Sequence, residues 1–311
     1  MIPTPPPRPP QSGFLYLPPY RIQGYSIGGE ETVVQVPELH ISFDIGRCPR
    51  FALNSSYVAL SHGHMDHAAG LPYYFSQRFF QGMDVGHVVC HPRLADPIRN
   101  IMRAWVDLEA QRTPYKVVPL ASDEQVEIKN NIFLRAFATH HTVPSLGFVV
   151  VERRSKLKPE LADLPQEKLV QLKRHGEDIT QITEIPLVCY SGDTCMGKHF
   201  DRPDVRQAKI LITECTFVDP EHKSRADVGK HMHLGDLIEL LDRVESEAVV
   251  LTHLSRRTHI AAARDHVHDQ IPARHRSRVF LLMDSRTNRG RYDQQKLALN
   301  QADTTGPRVS L

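Results

Sequence analysis

Apolar positions along this chain fall into short runs, some alternating every second residue and some recurring once per helical turn. "ETVVQVPELHISFDIG" alternates β-branched and polar positions and predicts two strands closing on Asp44 and Gly46. "SYVALSH" predicts a short buried strand. "DHAAGLPYYFSQRFF" opens a helix whose Tyr73, Tyr74, Phe75, Phe79 and Phe80 recur at helical spacing and are expected in the core. "GHVVCH" is a further strand, followed by a helix over "ADPIRNIMRAWVDLEA". Strands are predicted again at "YKVVPL", "EQVEI", "IFLRAFATHH" and "LGFVVVERR".

Beyond "IPLVCYSGDT" the pattern becomes an alternation: strand "KILITECTF", helix "LGDLIELLDRV", strand "EAVVLTHLS", helix "THIAAARDHVHDQI", strand "SRVFLLMD". Antiparallel β followed by β-α-β predicts an α/β fold of two sheets packed face to face with helices outside. The mixed-charge, amphipathic "KPELADLPQEKLVQLKRH" reads as an arm inserted over residues 150–182. Residues 1–19, rich in proline, are expected to be a disordered tail, and residues 291–311 a polar, frayed one. That leaves 20–290 as a single domain without an internal repeat.

Composition narrows the function classes only slightly. With 41% hydrophobic and 24% charged residues, the 311-residue chain has ample material for a core. A net charge of +2 does not announce a nucleic-acid binder, although a local basic stripe would suffice for one. Five cysteines without a CxxC pair argue against a disulfide framework and for a reducing compartment, here taken as the cytoplasm. The N-terminus lacks the apolar segment of a secretory signal, and no run of about 18 apolar residues predicts a membrane span.

The chemistry concentrates where strands end. "ALSH", "CYSGD", "ITE" and "VLTH" each close an apolar strand on a His, Asp or Glu, and such ends converge on one rim of a layered α/β fold. In "SHGHMDHAAG", His62 and His64 stand two apart on an extended segment and so share a face, while Asp66 and His67 enter the following helix. Four donors at this spacing suit two metal ions better than one, provided that later strand ends complete the set. His140 or His141, Asp193 and His253 are those candidates.

The assembled pattern resembles ribonuclease Z, the tRNA 3′-processing endonuclease of the metallo-β-lactamase superfamily. HxHxDH alone identifies only the superfamily, whereas the segments "HTVPSLGF" and "LTHLSRR" are closer to ribonuclease Z. "YSIGGEETVV", "FDIGRCPR" and the arm are most similar to the short forms typified by plants. The resemblance implies a four-layer αββα sandwich and two divalent ions, zinc first, with manganese or iron as alternatives. It assigns His62, His64 and His141 to one ion, Asp66, His67 and His253 to the other, and Asp193 to both. Its spacing to Gly147 favours His141 over His140, which is then expected either to support the ligands from behind or to be buried, and Asp44 matches the family's structural aspartate.

The implied reaction is removal of the 3′ trailer from precursor tRNA by a hydroxide bridging two metals, with Asp66 orienting or deprotonating it. The family's "HEATF" stands here as "TECTF", keeping Glu214 but replacing the preceding His by Thr213. Its "HST" stands as "HMH", so His231, oriented by Glu214, is the candidate proton donor and His233 its rival. Arg257 is the candidate phosphate ligand near the metals, and Lys168, Lys173 and Arg174 on the arm are candidate RNA contacts, although the arm lacks the Gly/Pro-rich composition usual in the family. A homodimer and no membrane association are implied too. Competing readings are a phosphodiesterase for cyclic nucleotides or small diesters, and an inactive scaffold in RNA processing.

Overall fold

The computed structural model describes residues 11–305. The first sheet carries, in spatial order, β1 (Gly13–Leu17), β2 (Tyr20–Gly28), β3 (Glu31–Val36), β4 (Ile41–Phe43), β5 (Tyr57–Ala59), β6 (Gly86–Cys90) and β7 (Tyr115–Pro119). Its outer face holds α1 (Met65–Ala68), α2 (Leu71–Phe80) and α3 (Pro92–Glu109). The second sheet begins with β8 (Gln125–Lys129), β9 (Ile132–Ala138), β10 (Leu146–Leu157) and β11 (Thr180–Tyr190). It continues through β12 (Ile210–Glu214) and β13 (Ala248–Thr252), while β14 (Leu254–Ser255) crosses back to pair with β2, and β15 (Val279–Leu281) closes the edge. Helices α4 (Gln166–Arg174), α5 (Pro203–Arg206), α6 (Lys223–Gly229), α7 (Leu234–Arg243), α8 (Ile260–Gln270), α9 (Ala273–Arg276) and α10 (Ser285–Thr305) complete the described chain.

Both sheets start antiparallel and finish parallel: the change comes at β4–β5 in the first and β11–β12 in the second. The parallel strands read as nearly unbroken apolar runs because both faces are covered. In β10, Phe148 and Val150 point between the sheets, while Val149 and Val151 join Leu237, Leu240 and Val267 under α7 and α8. Val33, Val58 and Val88 of the first sheet pack similarly against Tyr74, Phe75 and Met102 of α2 and α3. The result is the expected order of helix, sheet, sheet, helix.

Three expectations need correction. Residues 1–10 lie outside the described residues, but 13–17 of the expected N-terminal tail form strand β1. Leu15 and Leu17 alternate into the inter-sheet core, a period hidden in the sequence by the neighbouring prolines. The expected C-terminal tail is mostly helix α10, which packs on β1 through Tyr292 against Phe14, at 5.2 Å between ring centroids, and through Gln295 Nε2 donating to the Tyr16 carbonyl at 3.2 Å. Many of its contacts are made by polar side chains such as Asn288, Arg291 and Gln295, so no apolar stripe announces it. The aromatic run of α2 divides: Tyr74 and Phe75 are buried, while Tyr73, Phe79 and Phe80 are exposed.

Within the inserted segment, residues 153–157 of β10 and 180–184 of β11 stand as a two-stranded ribbon. Beyond Glu152, β10 pairs only with β11, and the ribbon carries α4, which has no buried residue.

Candidate metal centre

The loop after β4 and the turn into α1 hold each other. Ile45 N–H donates to the His67 carbonyl at 2.7 Å, Gly70 N–H to the Ile45 carbonyl at 2.8 Å, and a Cβ on Gly46 would lie 1.8 Å from the Asp66 carbonyl. Only glycine lets "FDIG" lie this close to "HGHMDH". Opposite, Gly192 has φ +61°, and a Cβ there would come within 2.6 Å of Ser61 Cβ. Asp193 is thereby brought over the end of β5. His253, at φ +58°, turns out of β13 with its N–H on Ser26 Oγ at 2.9 Å.

The hydrogen bonds at the backs of these side chains set their tautomers. His67 Nδ1–H donates to Asp44 Oδ2 at 2.8 Å. Ser61 Oγ–H also donates to Asp44, at 2.8 Å, which leaves Ser61 Oγ to accept from His62 Nδ1–H at 3.0 Å. His253 Nδ1–H donates to Thr216 Oγ1 at 2.9 Å, and Thr216 in turn donates to Glu214 Oε2. His141 Nδ1–H donates to the Lys230 carbonyl at 3.3 Å. With every Nδ1 of these four rings committed as a donor, every Nε2 presents a lone pair.

Those lone pairs converge. His62 Nε2 and His64 Nδ1 are 3.0 Å apart, and His141 Nε2 is 3.4 Å from His64 Nδ1. His67 Nε2 and His253 Nε2 are 3.3 Å apart, with Asp66 Oδ2 at 3.6 and 3.5 Å from them. Asp193 Oδ2 lies 3.4 Å from His67 Nε2, 3.3 Å from His253 Nε2 and 3.9 Å from His62 Nε2. Two donors on one tetrahedral ion, each about 2.0–2.2 Å from it, stand about 3.3–3.6 Å apart. Facing lone pairs at such distances repel unless a cation lies between them, and this donor set fits one.

Electrostatics agree. Burial, with the neighbouring His67, pushes His62 down to about 2, so it is a neutral donor. Against their burial, His67 is raised by Asp193 and Asp44, while Asp193 is held low by His253 and His67. Buried carboxylates and imidazoles thus draw positive charge into one place. Asp66 is likewise held well below the carboxylate range, despite partial burial, by His253 and His67, and accepts the Gly29 N–H at 2.9 Å.

Beside this cluster Glu214, fully buried, accepts four hydrogen bonds: Thr194 N–H at 2.7 Å and His231 Nδ1–H at 2.9 Å on Oε1, Met232 N–H at 3.1 Å and Thr216 Oγ1 on Oε2. Burial lowers His231, but Glu214 overrides it and raises the imidazole to about 9. His231 Nδ1 lies 3.9 Å from Asp193 Oδ2.

The structure therefore brings together His62, His64, Asp66, His67, His141, Asp193, His253, Glu214 and His231. His140 is a correction: its side chain is exposed, and its backbone binds the Asp193 loop instead, the carbonyl accepting from Cys195 N–H at 3.1 Å. His233 is removed from contention, because Nδ1 caps α7 by accepting Gly235 N–H and Nε2 donates to the Asp219 carbonyl. Arg257 is exposed in the turn after β14, and Lys168, Lys173 and Arg174 are exposed on α4, outside the cluster. Thr216, Ser61 and Tyr190 are the supporting residues that sequence reasoning missed. Ser61 and Thr216 adjoin recognised motifs, but Tyr190 reads simply as the last apolar position of a strand.

A Beta-lactamase superfamily domain model matches residues 49–159. The chain is 35% identical to the chloroplastic tRNase Z TRZ2 of Arabidopsis thaliana over 80% of its own length and 71% of that protein's. It is 33% identical to tRNase Z TRZ1 of the same plant, over 85% and 95% respectively. The chain belongs to the tRNase Z family. The fold is also that of the short form of human tRNase Z, with a TM-score of 0.56 and 16% identity over 88% of this chain and 96% of that one. Membership in tRNase Z, within the metallo-β-lactamase superfamily, implies divalent metal binding. Among the described residues no helix is long and apolar enough to cross a membrane.

Proposed function

We propose that this chain is a metal-dependent endoribonuclease that removes the 3′ trailer from precursor tRNA. The observation that carries the reading is the convergence of four histidine Nε2 lone pairs, His64 Nδ1 and two carboxylates into one cluster with Asp193 between its halves, in a chain of the tRNase Z family. His62, His64 and His141 would hold one divalent ion and Asp66, His67 and His253 the other, with Asp193 shared. Nitrogen and carboxylate donors suit zinc first, with manganese or iron next. Ions held here supply a water of lowered pKa and offset the charge of the reacting phosphodiester.

The chain's own groups do the rest. Asp66 is an ionised carboxylate placed to orient or deprotonate the attacking water. His231, its Nδ1–H on Glu214, keeps Nε2–H to protonate the departing 3′-oxygen. Arg257 and the arm residues Lys168, Lys173 and Arg174 are proposed to grip RNA phosphates, the arm doing so at a distance from the metals. The test compares metal-loaded protein on a 3′-extended precursor tRNA, a mature CCA-ended tRNA and a chromogenic phosphodiester. Cleavage of the diester without cleavage of the precursor overturns the tRNA reading. Inactivity toward both, with two metals bound, favours a scaffold.

The active form is proposed to be a homodimer. A groove of about 370 Å³ between α1–α2 and α3 is lined by Met65, Pro72, Leu94, Ile101 and Trp105. Tyr73 and Phe80 on α2 and Leu108 on α3 are also exposed, and apolar side chains exposed on these helices suit a protein contact. Light scattering should show a dimer that Trp105→Glu converts to a folded monomer; a wild-type monomer contradicts this. Five free cysteines suit the cytoplasm, and co-fractionation of a tagged chain with plastids would contradict that location.

A further inference from the structure

We propose that Lys230 is a substrate-binding residue whose ammonium receives a phosphate of the RNA strand flanking the scissile bond. The inference rests on the endoribonuclease reading above and starts from the backbone. Helix α6 ends at Gly229, and the left-handed position that follows is filled by Lys230, at φ +53° and ψ +50°. Helices usually place glycine at that position because it alone lacks the Cβ penalty. Here the glycine stands one residue early, and for a local reason: a Cβ on Gly229 would meet His231 Cδ2 at 2.9 Å.

The left-handed turn aims the Lys230 carbonyl at His141 Nδ1, at 3.3 Å. Glycine would present that carbonyl at lower conformational cost, so holding the carbonyl in place does not explain a lysine. A strained non-glycine residue at a reactive centre points to its side chain. That side chain is half-buried, adjoins His231 in sequence, and forms no ion pair among the described residues. Its positive charge also acts on the Cys195 thiol, two residues past Asp193, opposing the rise that burial imposes there. A half-buried lysine that directly precedes the proton donor in sequence, holds a metal-ligand candidate through its carbonyl and carries a charge felt on the Asp193 loop matches an anionic polymer passing over the metals.

The conformational argument supplies a clean test. Lys230→Gly and Lys230→Asn both suit a left-handed backbone, so both should fold and bind two equivalents of zinc as wild type does. On precursor tRNA each should lower kcat/KM roughly tenfold, mainly through KM, as expected for one charge-assisted contact. The slope of log(kcat/KM) against log[salt] should become shallower by about 0.7, the share of one single-strand phosphate. Lys230→Arg should recover both quantities. Wild-type kcat/KM and an unchanged salt slope in Lys230→Gly overturn the proposal, as does a loss that Lys230→Arg fails to restore. If wild type itself leaves precursor tRNA uncut, the endoribonuclease reading fails instead. Binding of a single-stranded RNA 12-mer, with its salt slope, then judges Lys230 alone by the same two criteria.

Discussion

The Tyr190 hydroxyl donates to Asp44 Oδ2 at 2.6 Å, joining the end of β11 in one sheet to the end of β4 in the other directly beneath the histidine cluster. Asp44 is fully buried and also accepts Ser61 N–H, Ser61 Oγ–H and His67 Nδ1–H, while the Tyr190 ring stacks on Phe43 at 4.8 Å. Tyr190→Phe keeps the stacking and deletes only the O–H donor. It should cost about 1–3 kcal/mol in urea denaturation, since a buried carboxylate loses one of its partners. It should also weaken metal uptake, because the Asp193 loop leaves β11 three residues later. Unchanged stability and metal affinity would show that the inter-sheet bond is incidental.

Asp193 Oδ2 is within 3.4 Å of His67 Nε2 and His253 Nε2 and 3.9 Å of His62 Nε2. Asp193→Ala should therefore lose both metals together and abolish turnover. Elemental analysis after desalting measures this directly, and one fully occupied site remaining would contradict a shared ligand.

His231 should govern the alkaline limb of the pH–rate profile. Its raised value, about 9, keeps it protonated at neutral pH, the state that a proton donor needs, so the rate falls as pH rises through that value. Cations held on the neighbouring ligands would oppose the rise and move the limb below 9 in the loaded enzyme. His231→Ala should lower kcat about 10²–10³-fold with little change in KM and remove this limb. A profile of unchanged shape in the variant assigns the proton to another group.

Acid should destabilise the fold through His199. Burial, with His140 and Arg243 nearby, pushes its imidazole down to about 4. The unfolded chain therefore takes up a proton at this residue as pH falls from 6.5 toward 4, whereas the folded chain does not, and stability declines through that window. Because His199 Nε2 meets Thr194 Oγ1 at 3.3 Å, the loss falls on the loop that carries Asp193. Thermal melting at pH 7 and pH 5 should show a smaller acid drop in His199→Gln than in wild type; equal drops point to other groups.

The candidate metal ligands were readable from the sequence because His62, His141, Asp193 and His253 follow apolar strands, whose ends converge wherever sheets stack, and His64, Asp66 and His67 lie within five residues of His62. The period of two placed His62 and His64 on one face, which the 3.0 Å contact between their rings reproduces. The same local logic failed at both ends of the chain. Leu15 and Leu17 reveal β1 only once β2 offers an edge, and α10 is held largely by polar side chains such as Asn288, Arg291 and Gln295, which make no apolar stripe. His140 and His141 were separated in the sequence only by resemblance, since neighbouring residues on a chain differ mainly in where the fold turns them.

By itself, then, the sequence determined the order of the elements between β2 and β15, the paired sheets and the candidate donors apart from the choice between His140 and His141, all of which depend on local periodicity and residue chemistry. The tertiary structure decided which nitrogen of each imidazole is bare, because that is set by Asp44, Ser61, Thr216 and the Lys230 carbonyl, partners that come mostly from other elements. It also decided that Lys230 stands left-handed with its carbonyl on His141, a relation between a helix end and a neighbouring loop that no periodicity encodes.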